Sequence, residues 1–186
     1  DEIFGGYLYF HYAPTGKNFF QECKLLVEEL PYYDVLRADR CISSNGLELR
    51  VPFLDKDFMN YIMKLPGFIR QPFNKYEKYI LRNAFHEYLP KNVAWRRKEG
   101  FSDGVSGLSK PWFKTIQENI ESEISDDSFE KVKTLQSKLK FMPYIDNFLS
   151  KESLYYYELY KKHFPLLEDI KHYWMPKWQK TNDPSG

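Results

Sequence analysis

No run of apolar residues in this sequence approaches the roughly 20 that a membrane-crossing helix needs, and no basic-then-apolar leader opens it. Neither sign of charge dominates. Lys and Arg number 27 against 26 Asp and Glu, for a formal net charge of +1, so no strong field favours nucleic acid or an anionic membrane. Cysteine is scarce: Cys23 and Cys41 show neither metal-ligand spacing nor a disulfide framework, and a reducing cytoplasmic setting is the simplest reading. Internal repeats, low-complexity segments and the continuous β-branched runs of buried parallel strands are all missing.

What is abundant is aromatic surface. Aromatic residues make up 18% of the 186 residues, with 15 Tyr and 15 Phe, yet the mean hydropathy is −0.62. That combination points to amphipathic rings wedged between helices around one good core.

Apolar residues recur at helical spacing. Lys17 to Leu30 aligns Phe19, Phe20, Cys23, Leu26, Val27 and Leu30, with Glu22, Lys24 and Glu29 outside. Tyr33 to Ser43 aligns Val35, Ala38 and Ile42, and Asn45-Gly46 stops it. Leu47 to Phe53 reads as extended. Asp55 is placed to N-cap a helix to Leu65 that turns Phe58, Met59, Ile62 and Met63 inward. Phe68 to Asn74 reads as loop. Lys75 to Tyr88 reads as a helix with Ile80, Leu81, Ala84 and Phe85 inside and Glu77 on a solvated face. Further helices are expected after Pro111, over Phe129 to Leu139 and over Lys151 to Phe164, the last capped by Ser150. Asp126-Asp127 reads as a turn, and His172 to Trp178 as an aromatic tail docked on the body. The stripes add up to about eight helices in a mainly α chain.

Three stretches carry dense polar chemistry. From Asp34 to Asp55, the residues Asp34, Arg37, Asp39, Arg40, Glu48, Arg50 and Asp55 stand among Val, Leu, Ile, Pro and Phe. Buried charge is costly unless paired or bound, so this is either an internal ion-pair network or the wall of a site for a charged ligand. Asp34 and Arg37, three apart, share a helix face. Trp95 to Gly107 groups Arg96, Arg97 and Lys98 before Gly100, Gly104 and Gly107. It is either a solvated basic patch or a loop presenting Lys98 to an anion whose charge grows during reaction. At the start, Asp1-Glu2 precede Gly5-Gly6; the acids suit the first turn of a helix, and the glycines let backbone pass close to a neighbour.

LRADRCISSNGLELRVPFLD, the opening DEIFGGYLYFH, RRKEGFSDGV and the closing HYWMPKW…DPSG occur in the order found in glutamine-dependent asparagine synthetases. The chain resembles the synthetase domain of that family over nearly its whole length. GLELRVPFLD and KEGFSDGV are long and specific, whereas Leu65–Asn74 and Glu121–Tyr144 match poorly. The resemblance implies that residues 1–186 are the C-terminal portion of that domain. They would be the helical part of an α/β ATP-pyrophosphatase (adenine nucleotide hydrolase-like) fold, with most of the parallel sheet missing. The N-terminal glutaminase domain and the ATP-binding loop would lie elsewhere in the same protein.

The implied reaction activates the side-chain carboxylate of aspartate with ATP and Mg2+ to a β-aspartyl-AMP and pyrophosphate. Ammonia from glutamine then displaces AMP. By the same resemblance Lys98 is catalytic, Arg37 is catalytic and substrate-binding, Asp34 is substrate-binding and Asp1 is a metal ligand. The implied partners are aspartate, ATP, glutamine or ammonia, and the rest of the same protein. Neither nucleic acid nor membrane is implied, and a homodimer of the intact protein stays open.

One alternative is a non-catalytic helical interaction module that has lost the nucleotide-binding half. Another, within the fold, is a β-lactam-forming relative. The family's SGGxDS and SGEGS motifs are not in the 186 residues, so this chain by itself is expected neither to bind ATP tightly nor to make asparagine. Calorimetric titration tests this, and micromolar binding of ATP to the 186 residues would overturn it.

Overall fold

The computed structural model describes residues 1–100, 104, 110–138 (backbone only at 136–138), 150–166 and 174–178. They fall into two compact units. The first holds Asp1–Lys98 and the described residues 176–178; the second holds the described residues between Glu99 and Met175.

The first unit is organised on its opening segment. Leu8–Tyr12 is a 3-10 helix, and the residues before it form turns, not the acidic helical turn that Asp1-Glu2 suggested. Ile3, Phe4, Tyr9 and Phe10 are all buried. Around them stand α1 (Gly16–Glu29), a 3-10 turn at Leu30–Tyr32, α2 (Asp34–Ser43), a 3-10 turn at Pro52–Leu54, α3 (Lys56–Lys64), α4 (Gly67–Arg70), α5 (Tyr79–Phe85), a 3-10 turn at His86–Tyr88 and α6 (Lys91–Ala94). Ile3, Phe4 and Ile62 form a core against Val27, Phe58, Met63 and Ile80.

Local chemistry sets the boundaries. Thr15 caps α1, its Oγ1 accepting from the Asn18 N–H at 3.1 Å. Phe19, Cys23 and Leu26 are buried along the expected stripe, and burial pushes the Cys23 thiol up to about 12. Gly46, at φ +73°, ends α2 as its Asn-Gly signal indicates. The Leu47 N–H reaches the Ile42 carbonyl at 3.3 Å and the Gly46 N–H the Ser43 carbonyl at 2.9 Å, the paired bonds of a Schellman stop. Asp55 caps α3, accepting from the N–H groups of Asp57 and Phe58.

The second unit contains α7 (Trp112–Glu123), α8 (Asp126–Lys138) and α9 (Lys151–His163). Ile120, Ile124 and Leu154 form its core with Ile116, Phe129 and Tyr155. A reciprocal capping box of Ser150 and Ser153 starts α9. The Lys151 ammonium bridges Glu121 at 2.5 Å and Asp126 at 2.7 Å.

The described residues form nine α-helices and no strand beyond an isolated Phe73–Tyr76 bridge. The chain is therefore mainly helical, with the expected sheet missing among these residues. Several local expectations fail for identifiable reasons. Asn74, Lys75 and Lys78 have positive φ, which no α-helix tolerates, so the helix read over Lys75 to Tyr88 begins only at Tyr79. Glu77, in the turn before it, is buried, while Ala84 and Phe85 on the helix are exposed. Glu22, placed outside on α1, is buried as well. Asp126-Asp127 open α8 instead of a turn, because the Ser125 hydroxyl accepts from the Ser128 N–H at 3.2 Å. Part of the expected loop after Phe68 is α4. Leu139, residues 167–170 and His172-Tyr173 lie outside the described residues.

Arg70, at the end of α4, is completely buried. Its Nη1 donates to the Ile3 carbonyl at 2.7 Å and its Nε to the Leu65 carbonyl at 3.2 Å. Its guanidinium carbon lies 5.6 and 5.4 Å from the ring centroids of Phe19 and Phe20. Arg70→Met keeps the volume but strips both carbonyls of their donor. The expected loss is about 2–4 kcal/mol of stability, read as a lower urea midpoint at unchanged slope; an unaltered midpoint would show that Arg70 does not hold this segment.

Candidate functional site

Gly5 turns the backbone at φ +60°. The Gly6 N–H closes the turn on the Asp1 carbonyl at 2.8 Å. Gly6 passes so close to the Asp1 carboxylate and the Lys78 side chain that a Cβ there would displace these two side-chain ends. The turn sets Asp1, Glu2 and Tyr7 side by side.

Tyr7 is the hub of what gathers there. Its hydroxyl donates to Glu2 Oε1 at 2.7 Å and has Asp34 Oδ2 as a second acceptor at 3.2 Å. Asp34 Oδ1 in turn accepts from Arg37 Nη2 at 2.5 Å. The Lys98 ammonium sits 5.4 Å from the Tyr7 ring centroid. The Asp1 carboxylate pairs with the Lys78 ammonium. All four residues singled out from the sequence, Asp1, Asp34, Arg37 and Lys98, are thus brought together. Glu2, Tyr7 and Lys78 join them, and no periodicity or spacing signal marks these three. Their nearest hint was the Gly-Gly pair, which demands that something approach closely.

Exposure separates the two readings of the charges on and after α2. The side chain of Arg37 is 75% exposed and that of Asp34 49%; the Glu48–Arg50 pair is 73% and 80% exposed. An internal ion-pair network is therefore excluded for these pairs. Val35, Ala38 and Ile42 are only half-buried, and α2 has no fully buried residue.

Burial is the first cause that pushes the Tyr7 hydroxyl well above its ordinary range, with the negative charges of Glu2 and Asp34 adding to it; it stays a donor at any physiological pH. Burial also lowers the Lys78 pKa, opposed by Glu2 and Glu77. Lys78 is held in the left-handed region at φ 56°, a strained setting for a non-glycine residue of the kind that clusters at functional sites.

A second set of contacts braces the site. Glu77 Oε1 meets His11 Nε2 at 2.5 Å. Arg82 donates from Nε to the Glu77 carbonyl at 2.8 Å and from Nη1 to the Ala94 carbonyl at 2.6 Å, tying the Lys78 turn to the strand of chain that leads to Lys98. Tyr9 donates to Glu22 Oε1 at 3.1 Å, and Lys177 donates to Glu22 Oε2 at 3.0 Å. Trp178 packs 5.8 Å from Tyr9, so this part of the aromatic tail docks on the first unit as expected. Of the glycine-punctuated loop, Glu99, Gly100 and Gly104 are described; 101–103 and 105–109 lie outside.

For the metal role implied for Asp1, its nearest neighbouring carboxylate is that of Glu2. Among the described residues, no group of three or more His, Cys, Asp or Glu could hold an ion by itself. Hard oxygen donors this few suit an ion that completes its shell from phosphate and water, which is the habit of Mg2+.

Residues 15–181 match the family model described as asparagine synthase. The chain belongs to that family. It is 44% identical over 189 residues to the asparagine synthetase (glutamine-hydrolyzing) of Gallus gallus, covering 100% of this chain and 32% of that protein. The enzymes of the same name from Cricetulus griseus and Homo sapiens are 43% and 41% identical with the same coverage. The chain thus spans about a third of the length of these asparagine synthetases. No helix among its described residues is long and apolar enough to cross a membrane.

The close passage of Gly6 gives a direct test of the turn. In Gly6→Ala the added methyl must push the Asp1–Lys78 pair apart. A loss of no more than about 1 kcal/mol is expected, because both side-chain ends are partly exposed and can move; it is measured by urea unfolding, and a larger loss would refute this reading of the turn.

Proposed function

We infer that the chain is the C-terminal portion of the synthetase domain of a glutamine-dependent asparagine synthetase, the helical part of an ATP-pyrophosphatase-type α/β domain. The intact protein would convert aspartate to asparagine through a β-aspartyl-AMP, with ammonia from glutamine supplied by the rest of the protein. The observation that carries this reading is the gathering of Asp1, Asp34, Arg37 and Lys98 around Tyr7 in a chain of the asparagine synthase family. A helical interaction module would have no use for such a cluster.

The residues divide the work by their chemistry. Arg37 is exposed and oriented by Asp34; its planar fork can grip a carboxylate of aspartate through two parallel N–H groups, which lysine cannot. Asp34 both aims that fork and is itself placed to receive the substrate's ammonium. Lys98 is half-buried against the Tyr7 ring, and its ammonium offsets negative charge as pyrophosphate departs or as ammonia adds to the acyl carbon. Asp1, with Glu2 beside it, would hold Mg2+, which supplies charge neutralisation to the phosphates of ATP. Lys78, paired with Asp1, would add a second positive charge beside the same phosphates. Both thiols are free and Cys41 is exposed, which suits a reducing cytoplasm.

The test uses the full-length protein. Aspartate-dependent exchange between ATP and pyrophosphate should be robust, and Lys98→Ala should lower it by about 100-fold or more while the protein stays folded. Absence of exchange in the wild type would sink the reading; undiminished exchange in the variant would remove Lys98 from the mechanism.

A further inference from the structure

Tyr7 touches Glu2, Asp34 and Lys98, and none of the roles assigned above uses it. Its ring is fixed from behind. It stacks on Tyr9 at 6.0 Å and 26° and lies 6.1 Å from Phe10. Tyr9 is itself pinned by its hydrogen bond to the buried Glu22 and by Trp178. The Tyr7 ring is therefore a post with two working parts. The hydroxyl offers one proton to two carboxylates, at 2.7 and 3.2 Å. The ring face offers its negative quadrupole to an ammonium.

We propose that Tyr7 is a positioning residue of this site: its hydroxyl sets Asp34, and through Asp34 the guanidinium of Arg37, while its ring face seats the ammonium of Lys98. This rests on the synthetase reading for the reaction it serves, and it names the side chain that places the two cations of that reaction relative to each other. Arg37 and Lys98 come from segments far apart in sequence and share no direct bond. Tyr7 is a common reference for both. The two parts of the side chain have separable consequences. Loss of the hydroxyl should disturb the carboxylate grip; loss of the ring should disturb the charge-stabilising lysine.

Full-length protein carrying Tyr7→Phe or Tyr7→Leu is compared with wild type in two assays. One is aspartate-dependent ATP–pyrophosphate exchange. The other is mass-mapped labelling, of Lys98 by an amine reagent and of Asp34 by a carbodiimide. Tyr7→Phe keeps the packed ring, so it retains the fold. It should raise KM for aspartate about tenfold with kcat within about threefold, speed labelling of Asp34 several-fold, and leave Lys98 labelling unchanged. Tyr7→Leu should add a loss in kcat of about tenfold or more and speed Lys98 labelling several-fold. A wild-type KM and wild-type Asp34 labelling in Tyr7→Phe would overturn the hydroxyl's role. Equal Lys98 labelling in folded Tyr7→Leu and wild type would overturn the ring's. A wild type without exchange would end the synthetase reading, and the labelling rates would still decide Tyr7 by themselves.

Discussion

A fully desolvated guanidinium holds the first unit together. The segment from Asp1 to Tyr7 belongs to no helix or sheet, so its buried backbone groups have no ladder to satisfy them. Arg70 supplies a donor to the Ile3 carbonyl of that segment and another to Leu65 at the end of α3, and rests its charge against two phenylalanine rings. No shorter or singly pronged cation could span those acceptors. Once Ile3 and Phe4 are fixed in the core, Gly5 and Gly6 can turn the chain within contact of α1 and of Lys78. The turn then delivers Asp1, Glu2 and Tyr7 to one place.

That place is electrically balanced. Asp1, Glu2 and Asp34 face Lys78, Lys98 and Arg37, with a neutral phenol among them. Each cation rests on a partner of the protein's own. With the opposite charges paired in this way, no member of the cluster stands as an isolated charge, which would be costly where it is partly buried. The local charges cancel, as the chain's 27 and 26 nearly do, so the cluster leaves no mark on the net charge.

Much of this was legible in the sequence. The stripe of α1, the Asn-Gly stop of α2 and the Asp55 cap rest on local rules, and local rules held. The charged stretch of α2 and Lys98 were legible as chemistry, and they do meet. Tyr7 was not, because a hub made of one phenol and a 3-10 turn has no periodicity to read. Nor was Arg70, which lay in a stretch that reads as loop and whose partners are backbone carbonyls from Ile3 and Leu65. Lys78 was misread because a helix was carried through positive-φ residues. Such strain is supplied by tertiary contacts, here the Asp1 pair and the His11–Glu77–Arg82 brace.

Of the two readings open for Arg37 and Asp34, the internal network does not fit their exposed side chains; Glu22 and Glu77, read as outward-facing, are buried. On α2 the apolar neighbours Val35, Ala38 and Ile42 are half-buried and dock the helix, which leaves the charged side chains on its outer face. A charge that must hold another side chain works best out of water, where its hydrogen bonds are strong and its geometry fixed. Glu22 joins Tyr9 to Lys177 and Glu77 holds His11. Each of the two buried carboxylates therefore links segments that sequence separates widely, and each stands directly behind a residue that shapes the site.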